Sequence, residues 1–374
     1  MTAPHVVVVG AGALGGWTAL ECVRRGARVT LIDAWTPGHS RSSSGGDTRI
    51  LRHGYGPEGI YVGLVQRSLQ VWRRAPELLN SRLFDEVGVL WLVQEDESFE
   101  AQSVEQLHRA GVPFERLEPD ALARRWPQID FTGIRWGFFE PHAGALYARR
   151  ACQLVAHAVQ NSGGTLLRGQ ALPFEASAGP FDGVRLASGE RIDADRYVFA
   201  GGPWMKELFP QTLGSLLEVT RQEVFSFGVP PGESRFDAGA LPVWADHSDH
   251  FWYGIPGNDG RGFKLGRDTL GPPIDPTFDE RQPSPEELAA ARAYLAQRFP
   301  ALAGAPLLES RVCQYTVTSD RHPILTPHPT YKNVALAAGG SGHAFKLGPA
   351  LGSDLADWAM EDREFDSFFS LDRF

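Results

Sequence analysis

The pattern of apolar and polar positions near the amino terminus predicts a strand, a helix and a second strand. Residues 6–9 are four consecutive valines, and such an apolar run predicts a strand buried on both faces. Apolar residues then recur at helical spacing at Trp17, Leu20 and Val23, and a second apolar run ends at Asp33. A strand, a helix and a strand in this order predict one βαβ unit of a parallel sheet.

A glycine pattern, Gly-x-Gly-x-x-Gly, occupies residues 10–15 at the first turn of this unit. Its glycines permit a tight turn, a close approach of a pyrophosphate to the backbone, and close packing of the helix on the sheet. The free N–H groups and the dipole at the helix start attract phosphates, and an acid ending the second strand can accept hydrogen bonds from ribose hydroxyls. The unit predicts a dinucleotide site but does not decide between FAD and NAD. Its predicted contacts are Gly10, Gly12, Ala13, Leu14, Gly15 and Asp33.

Further along the chain, helical patterns alternate with short strands and turn-rich segments. Segment 33–55 is rich in Gly, Ser and Pro and predicts an extended loop. Segment 219–266 carries short alternating strands separated by Pro and Gly, which predicts an antiparallel sheet. The last part of the chain repeats the order of strand, glycine-rich turn and helix. The predicted helices cover residues 60–74, 100–109, 119–126, 147–159 and 284–299.

This order of elements predicts an α/β fold, α+β overall, with two interleaved domains. A chain of 374 residues exceeds one typical domain. The first predicted domain is Rossmann-like and binds the dinucleotide; it comprises residues 1–82, 147–215 and 311–374. The second binds the substrate on a largely antiparallel sheet and comprises residues 83–146 and 216–310.

Composition and charge exclude several classes of protein. A content of 43% hydrophobic and 22% charged residues is typical of a soluble globular protein. A net charge of −9 argues against nucleic acid or an anionic membrane as a partner. The sequence shows neither an apolar run of about 20 residues nor a signal peptide, so we expect a cytoplasmic protein. Cys22, Cys152 and Cys313 are too few for a disulfide framework and lack zinc spacing, so we expect no metal site.

Four segments carry a resemblance to a known family. They are Gly-Gly-Asp-Thr-Arg-Ile-Leu-Arg-His-Gly-Tyr-Gly at 45–56, Tyr253 with Lys264, Cys-Gln-Tyr-Thr at 313–316, and Gly-Ser-Gly-His-Ala-Phe-Lys at 340–346. In this order the chain resembles, over nearly its whole length, the monomeric sarcosine oxidase family, which are FAD-dependent amine oxidases of the D-amino acid oxidase superfamily. The resemblance implies FAD rather than NAD, oxidation of a secondary amine to an imine, reduction of O2 to H2O2, and a monomer.

The resemblance also implies roles for individual residues. Cys313 would form a thioether with the 8α-methyl group of the flavin. Arg52 and Lys346, called here the carboxylate clamp, would hold the acid group of the substrate, because a planar guanidinium and a compact ammonium both suit a carboxylate. Lys264 would promote the reaction with O2 through its fixed positive charge, with Arg49 beside the flavin as a second catalytic residue.

The other residues implied by the resemblance line the substrate cavity or contact the cofactor. We expect further substrate contacts from Tyr253, Tyr315, Gly342 and Asp268. We expect cofactor contacts outside the first βαβ unit from Arg41, Ser42, Ser43, Thr48, Gly201, Trp204, Cys313, Gly340, Gly342, His343 and Lys346.

Two positions depart from the family pattern. Family members often carry histidine where this chain has Gly45 and Asp268. We expect Gly45 to leave more room and Asp268 to add negative charge, so the predicted substrate is larger or more polar than sarcosine. Several alternatives stay open: a dehydrogenase with an acceptor other than O2, an oxidase of a fructosyl amino acid or a cyclic imino acid, a flavoprotein subunit without activity of its own, or an NAD-dependent dehydrogenase.

Overall fold

The computed structural model describes residues 3–95, 97–174, 181–247, 250–257 and 259–374, and the fold consists of these residues. The strands are β1 (His5–Val9), β2 (Arg28–Asp33), β3 (Thr48–Leu51), β4 (Phe84–Asp85), β5 (Val89–Val93), β6 (Glu115–Leu117), β7 (Trp136–Glu140), β8 (Gly144–Tyr147), β9 (Thr165–Arg168), β10 (Val184–Arg185), β11 (Arg191–Ile192), β12 (Arg196–Phe199), β13 (Glu218–Phe227), β14 (Val243–Asp246), β15 (Trp252–Ile255), β16 (Phe263–Arg267), β17 (Leu307–Val317), β18 (Ile324–Pro327) and β19 (Val334–Ala338). The α-helices are α1 (Ala13–Arg24), α2 (Gly59–Arg73), α3 (Ala75–Leu79), α4 (Ser98–Arg109), α5 (Pro119–Arg125), α6 (Ala148–Asn161), α7 (Met205–Leu208), α8 (Pro210–Leu213), α9 (Pro285–Arg298) and α10 (Gly348–Glu361).

A six-stranded sheet in the order β18-β19-β12-β1-β2-β9 contains the predicted βαβ unit. All neighbouring strands in it are parallel except β18 and β19. Both faces are covered: Val6 and Val8 pack into the core beneath helices α1, α2, α6 and α10, while Val7 and Val9 pack into a second core on the other side. The apolar run in the first strand therefore arises from burial on both faces, and the predicted α/β fold class is confirmed.

An eight-stranded sheet in the order β17-β13-β16-β15-β14-β5-β7-β6 forms the second layer of the protein. Its strands are antiparallel except for the parallel pair β14 and β5, which confirms a largely antiparallel sheet. One face packs on helices α5 and α9 through a core rich in aromatic rings, including Phe263 and Trp244. Helix α9 begins as expected, because the Ser284 side chain accepts a hydrogen bond from the N–H of Glu287.

A three-stranded sheet corrects the prediction for segment 33–55. The segment was expected to be a loop, but β3 lies within it and pairs antiparallel with β8, which also pairs with β4. Thr48 stands opposite Tyr147 and Leu51 opposite Gly144. The pairing partner lies almost 100 residues away along the chain, so the local composition of glycine and serine could not indicate it.

The predicted division into two domains stays a prediction. Strands of the six-stranded sheet come from separate stretches of the chain, with β1 and β2 at the start, β9 and β12 in the middle, and β18 and β19 near the end. The predicted boundary at residue 311 falls inside β17, which pairs with β13 at the edge of the eight-stranded sheet. Among the described residues, we find no helix long and apolar enough to cross a membrane and no cluster of metal-binding side chains.

Helices α1 and α10 cross at a contact that has room only for glycine. A Cβ atom added at Gly352 would lie 2.7 Å from Cβ of Trp17 and 2.9 Å from the backbone nitrogen of Thr18. We expect Gly352→Ala to push the helices apart and to lower the free energy of unfolding by about 1–3 kcal/mol. Chemical denaturation of the purified protein measures this change.

Gly63 provides the matched control, because it lies on the exposed side of α2 with no atom within 4 Å of an added Cβ. Gly63→Ala is expected to raise the free energy of unfolding by roughly 0.5–1 kcal/mol through helix propensity. Equal effects of the two substitutions would show that the close contact between α1 and α10 does not limit stability.

Candidate active site

A cavity of about 330 Å³ lies at the carboxyl ends of the parallel strands in the six-stranded sheet. Three glycine-bearing turns line it: residues 10–12 after β1, residues 201–202 after β12, and residues 339–342 after β19. Asp33, at the end of β2, lines it as well. Open α/β sheets bind ligands at this edge, where the strands end and the helices begin.

The start of helix α1 is shaped to receive an anionic group. Its N-cap is Gly12, which has no side chain to cap the helix, and an added Cβ there would meet only Oγ of Ser44, at 3.5 Å. At Gly10 the backbone has φ +105°, and a Cβ would overlap the carbonyl oxygen of Ala200. The glycines thus keep the helix N-terminus open towards the cavity, where its N–H groups can bind phosphate.

Two further polar groups in this cavity fit a dinucleotide. The carboxylate of Asp33 accepts hydrogen bonds from the N–H groups of Ala11, at 2.8 Å, and Trp35, at 3.0 Å, which fix its orientation. The hydroxyl of Thr316 is buried in the cavity wall and has no hydrogen-bond partner among the described residues. A bound ligand can form the missing hydrogen bond with this hydroxyl. The residues that line the first cavity therefore fit FAD.

A second cavity, of about 110 Å³, adjoins the first and lies against the eight-stranded sheet. Neighbouring strands place their lining residues in rows across the sheet. The first row is Ser226, Lys264 and Ile255; the second is Arg311, Val224 and Tyr253, with Gly266 between the last two. The two cavities share Arg49, Tyr315, Gly342 and Phe345 in their walls.

Lys264 points from β16 into the second cavity. Its Nζ donates hydrogen bonds to the carbonyl oxygen of Thr48, at 3.0 Å, and to the Thr48 hydroxyl, at 3.1 Å. The neighbours Phe263 and Leu265 are fully buried in the core on the opposite face, as the alternation of a strand requires. Loss of hydration, together with the nearby Arg49, lowers the pKa of Lys264 to about 7.

The carboxylate clamp assembles around one tyrosine. Nζ of Lys346 donates to the hydroxyl of Tyr55, at 2.8 Å, and to the carbonyl oxygen of His343, at 2.9 Å. The Arg52 guanidinium stacks over the same Tyr55 ring, with its central carbon 4.3 Å from the ring centroid. Burial and the charge of Arg52 hold the pKa of Lys346 well below its usual value. Arg52 and Lys346 are cations whose hydrogen bonds go to neutral oxygens. Together they therefore form a site for an anion.

Asp268 faces the clamp from the same cavity. Its carboxyl group accepts a hydrogen bond from Tyr315 and lies 3.9 Å from the guanidinium of Arg321. Burial raises the pKa of Asp268, although these neighbours act in the opposite direction. The Tyr315 ring fits its place because Gly342 has φ +81° and no side chain; an added Cβ would lie 2.7 Å from that ring.

Arg49 lines both cavities, and Cys313 lies beside it in the second. The Cys313 sulfur is 3.7 Å from Nη2 of Arg49 and 3.9 Å from the carbonyl oxygen of Ser43. Arg49 also donates from Nη1 to the carbonyl oxygen of Thr48, at 2.7 Å. Cys313 lines the second cavity, while its neighbours Gln314 and Tyr315 line the first. The thiol thus stands next to the space predicted for the flavin.

The structure brings most of the predicted site residues to one of these cavities. The first is lined by Gly10, Gly12, Ala13, Leu14, Asp33, Ser42, Ser43, Gly201, Trp204, Gly340 and Gly342. The second is lined by Thr48, Arg52, Tyr253, Lys264, Asp268, Cys313, His343 and Lys346. Burial lowers the pKa of His343 to about 3, so its imidazole is neutral. The individual roles remain predictions.

Four predicted cofactor contacts line the second cavity and not the first: Thr48, Cys313, His343 and Lys346. Three further positions lie outside both cavities, which differs from what the sequence led us to expect. Gly45 lies outside both cavities, and a Cβ there would overlap the carbonyl oxygen of His39, so the missing side chain does not enlarge the substrate space. Gly15 packs behind the glycine turn instead of lining the cavity. The Arg41 guanidinium also lies away from the cavity and donates to the carbonyl oxygens of Pro276 and Asp279, each at 3.3 Å.

Several residues in or next to the cavities were not predicted from the sequence. Tyr55 stands in the motif that carries Arg52, and its place in that motif could have indicated it. Gln222 and Ser226 line the second cavity with Val224 because alternate residues of β13 share one face. His39 reaches the first cavity from an irregular segment, and no sequence pattern marks it.

The fold and the paired cavities define the class of protein: an oxidoreductase that holds a dinucleotide beside a substrate cavity. The chain matches the family model described as "FAD dependent oxidoreductase" over residues 5–358. It is 32% identical to the monomeric sarcosine oxidase of Bacillus sp. (strain B-0618), covering 98% of this chain and 95% of that one. It is 30% identical to the N-methyl-L-tryptophan oxidase of Salmonella arizonae, covering 99% and 98%.

A solved structure of similar fold is that of L-proline dehydrogenase from P. horikoshii. It has a TM-score of 0.84 at 23% sequence identity and covers 96% of this chain and 94% of that one. The chain belongs to the FAD-dependent oxidoreductase family, and its resemblance to the monomeric sarcosine oxidases is confirmed. It is therefore an enzyme that uses FAD.

Proposed function

We propose that this enzyme oxidises the secondary amine of an N-substituted amino acid to an imine and passes the electrons to O2. The family and its curated relatives support FAD-dependent oxidation of an amine. The observation that carries the finer proposal is the pair of cations, Arg52 and Lys346, around Tyr55 in the cavity that adjoins the dinucleotide cavity. Such a pair suits a substrate that carries a carboxylate near the reacting amine.

FAD held in the first cavity by the turn at Gly10 and Gly12 and by Asp33 would supply the redox chemistry, which is uptake of a hydride equivalent from the carbon next to the nitrogen and transfer of electrons to O2. The protein contributes placement. With its carboxylate held by Arg52 and Lys346, the substrate is oriented toward the wall that the two cavities share. The nearby cations also favour the neutral, reactive form of the amine over the ammonium.

Lys264 supplies a further positive charge to the second cavity. Its ammonium is fixed by two hydrogen bonds to Thr48, so no reorganisation is needed when negative charge develops on O2. A pKa of about 7 means that the group gains its charge as the pH falls through neutrality, and binding of an anionic substrate favours the charged form.

Our proposal on the size and polarity of the substrate rests on Asp268. Because Gly45 adds no space, Asp268 is the one of the two departures noted in the sequence that lies in this cavity. A carboxyl group opposite the clamp can accept a hydrogen bond from a hydroxyl or ammonium group on the substrate. We therefore propose an amino-acid-derived amine that is more polar than sarcosine.

Anaerobic bleaching of the flavin tests the proposed function directly. The protein is mixed with sarcosine, N-methyl amino acids, cyclic imino acids and fructosyl amino acids, and absorbance in the visible range reports reduction. We expect the fastest reduction with a member more polar than sarcosine. Fastest reduction by sarcosine contradicts the proposal on polarity, and bleaching by no member contradicts the proposed function.

The electron acceptor is a separate question, because a protein titled L-proline dehydrogenase shares this fold. We expect Lys264→Met to leave reduction by substrate nearly unchanged and to slow reoxidation by O2 roughly 100-fold, since one fixed charge is worth about 3 kcal/mol. Stopped-flow measurement of each half-reaction checks this. Lys206→Met, at an exposed lysine, is the control. Slow O2 reaction in the wild type, with fast turnover of a dye, would favour the dehydrogenase.

We also propose that Cys313 attaches the flavin through a thioether: the thiol S–H bond and one C–H bond of the 8α-methyl group are broken, and the two electrons and two protons released would pass to O2, giving H2O2. Cys313 lines the second cavity, with its sulfur 3.7 Å from Nη2 of Arg49, a residue that lines both cavities. After precipitation with trichloroacetic acid, the wild-type pellet should keep its yellow colour, whereas Cys313→Ala should release free FAD. Cys22→Ala removes a buried thiol in α1 and should retain the flavin. A colourless wild-type pellet rules out the bond.

A further inference from the structure

Glu140 is a fully buried carboxylate at the end of β7, close to the carboxylate clamp but absent from the lining of either cavity. Four N–H groups from three residues surround it. Oε2 accepts from the backbone N–H of His53, at 2.6 Å, and lies 3.1 Å from Nδ1 of the same histidine. Oε1 accepts from the backbone N–H of Gly54, at 3.2 Å, and from Nε1 of Trp91, at 2.8 Å.

These contacts fix the short segment that connects the two ends of the clamp. His53 and Gly54 stand between Arg52 and Tyr55 in the chain. The carbonyl oxygen of Gly54 accepts a hydrogen bond from the Arg52 guanidinium. Tyr55 accepts the hydrogen bond from Lys346. Both cations of the clamp are therefore connected to the backbone that Glu140 holds.

Trp91 strengthens this connection. The same indole that donates to Glu140 lies beneath the Arg52 guanidinium, with 5.2 Å between the guanidinium carbon and the ring. Gly54 fits tightly over it: an added Cβ would lie 3.2 Å from Trp91 and 3.3 Å from Oε1 of Glu140. The carboxylate, the indole and the backbone thus form one packed unit beneath the clamp.

The ionised form of Glu140 suits this set of donors. Burial alone would raise its pKa, but the hydrogen bonds and charge of His53 and the indole N–H of Trp91 outweigh burial and lower it. An ionised carboxylate accepts at both oxygens, whereas an amide has only one accepting oxygen and brings two N–H donors of its own. Glutamine is therefore similar in shape but opposes two of the four donors.

We propose that Glu140 is a positioning residue for substrate carboxylates: it holds residues 53–54 so that Arg52 and Tyr55–Lys346 present their donors to the second cavity. The proposal rests on the proposed function, because it assumes that the clamp binds the acid group of the substrate. It does not require Glu140 to touch the substrate. Loss of this carboxylate should therefore weaken binding of an anion more than binding of its neutral counterpart.

The test uses purified holoenzyme with Glu140→Gln and, as control, Asp246→Asn. Asp246 is also fully buried and fully hydrogen-bonded, with Gln94 at 2.9 Å, Tyr294 at 2.7 Å and Arg298 at 3.1 Å. These contacts place the Asp246 carboxylate on the face of the sheet that packs on α9. Both substitutions lower stability by leaving a buried donor without its acceptor, but only Glu140→Gln should affect the clamp.

Acetate and acetamide serve as the matched probes, and perturbation of the flavin absorbance measures their dissociation constants. We expect Glu140→Gln to raise the Kd of acetate roughly tenfold and to change that of acetamide less than about twofold, because hydrogen bonds to charged groups carry the difference. Asp246→Asn should change both by less than about twofold. Equal loss for both probes, or equal loss in both variants, overturns the proposal.

A crystal structure of the Glu140→Gln holoenzyme gives a readout that needs no ligand. We expect the Lys346–Tyr55 hydrogen bond, 2.8 Å in the wild type, to be broken or Arg52 to leave the Tyr55 ring. An unchanged clamp in that structure overturns the proposal. If Glu140→Gln fails to fold, Trp91→Phe removes one donor while keeping an aromatic ring beneath Arg52, and the same criteria apply.

A wild type that binds acetate no better than acetamide would contradict the clamp itself, while the crystal structure would still decide the role of Glu140.

Discussion

The active site depends on keeping several positive charges close together inside the protein. Arg49, Arg52, Lys264 and Lys346 all line one cavity of about 110 Å³. Taking such groups out of water costs free energy, and their mutual repulsion adds to that cost. The lowered pKa values of Lys264 and Lys346 express both effects. Carbonyl and hydroxyl oxygens offset part of the cost, and an anionic substrate can supply the rest.

One segment of the chain, residues 39–55, sets the relative position of the two cavities. It contributes Ser42 and Ser43 to the first cavity and Thr48 and Arg52 to the second. Its own composition gives it little rigidity, so distant residues hold it in place. Arg149 donates to the carbonyl oxygen of Gly45, Arg311 donates to that of Ser40, and β8 pairs with β3. The two cavities are thereby aligned by contacts that are tertiary, not local.

The difference between local and tertiary contacts explains which features the sequence could predict. The unit formed by β1, α1 and β2 is local, and its glycine turn, strands and helix were predicted correctly from the spacing of glycines and apolar residues. Lys264 and Arg52 stand in motifs whose resemblance to the family extends over the whole chain. By contrast, β3 forms only with a distant partner, and Glu140 acquires its importance only when β7 lies beside residues 53–54. The space expected at Gly45 is filled by the backbone of His39, which no residue type could reveal.

The positions of β17 and β19 have a consequence for biosynthesis. β19 pairs with β12 and so extends the parallel sheet, while β17 lies along the whole length of β13 and so completes the antiparallel one. Both strands are synthesised well after their partners: β17 follows β13 by 80 to 99 residues, and β19 follows β12 by 137 residues. Until residues 307–338 emerge, β12 and β13 each lack a neighbour, and such open edges invite association between nascent chains. The first cavity, which residues of segments 314–316 and 337–345 help to line, can therefore close only after those segments have been synthesised.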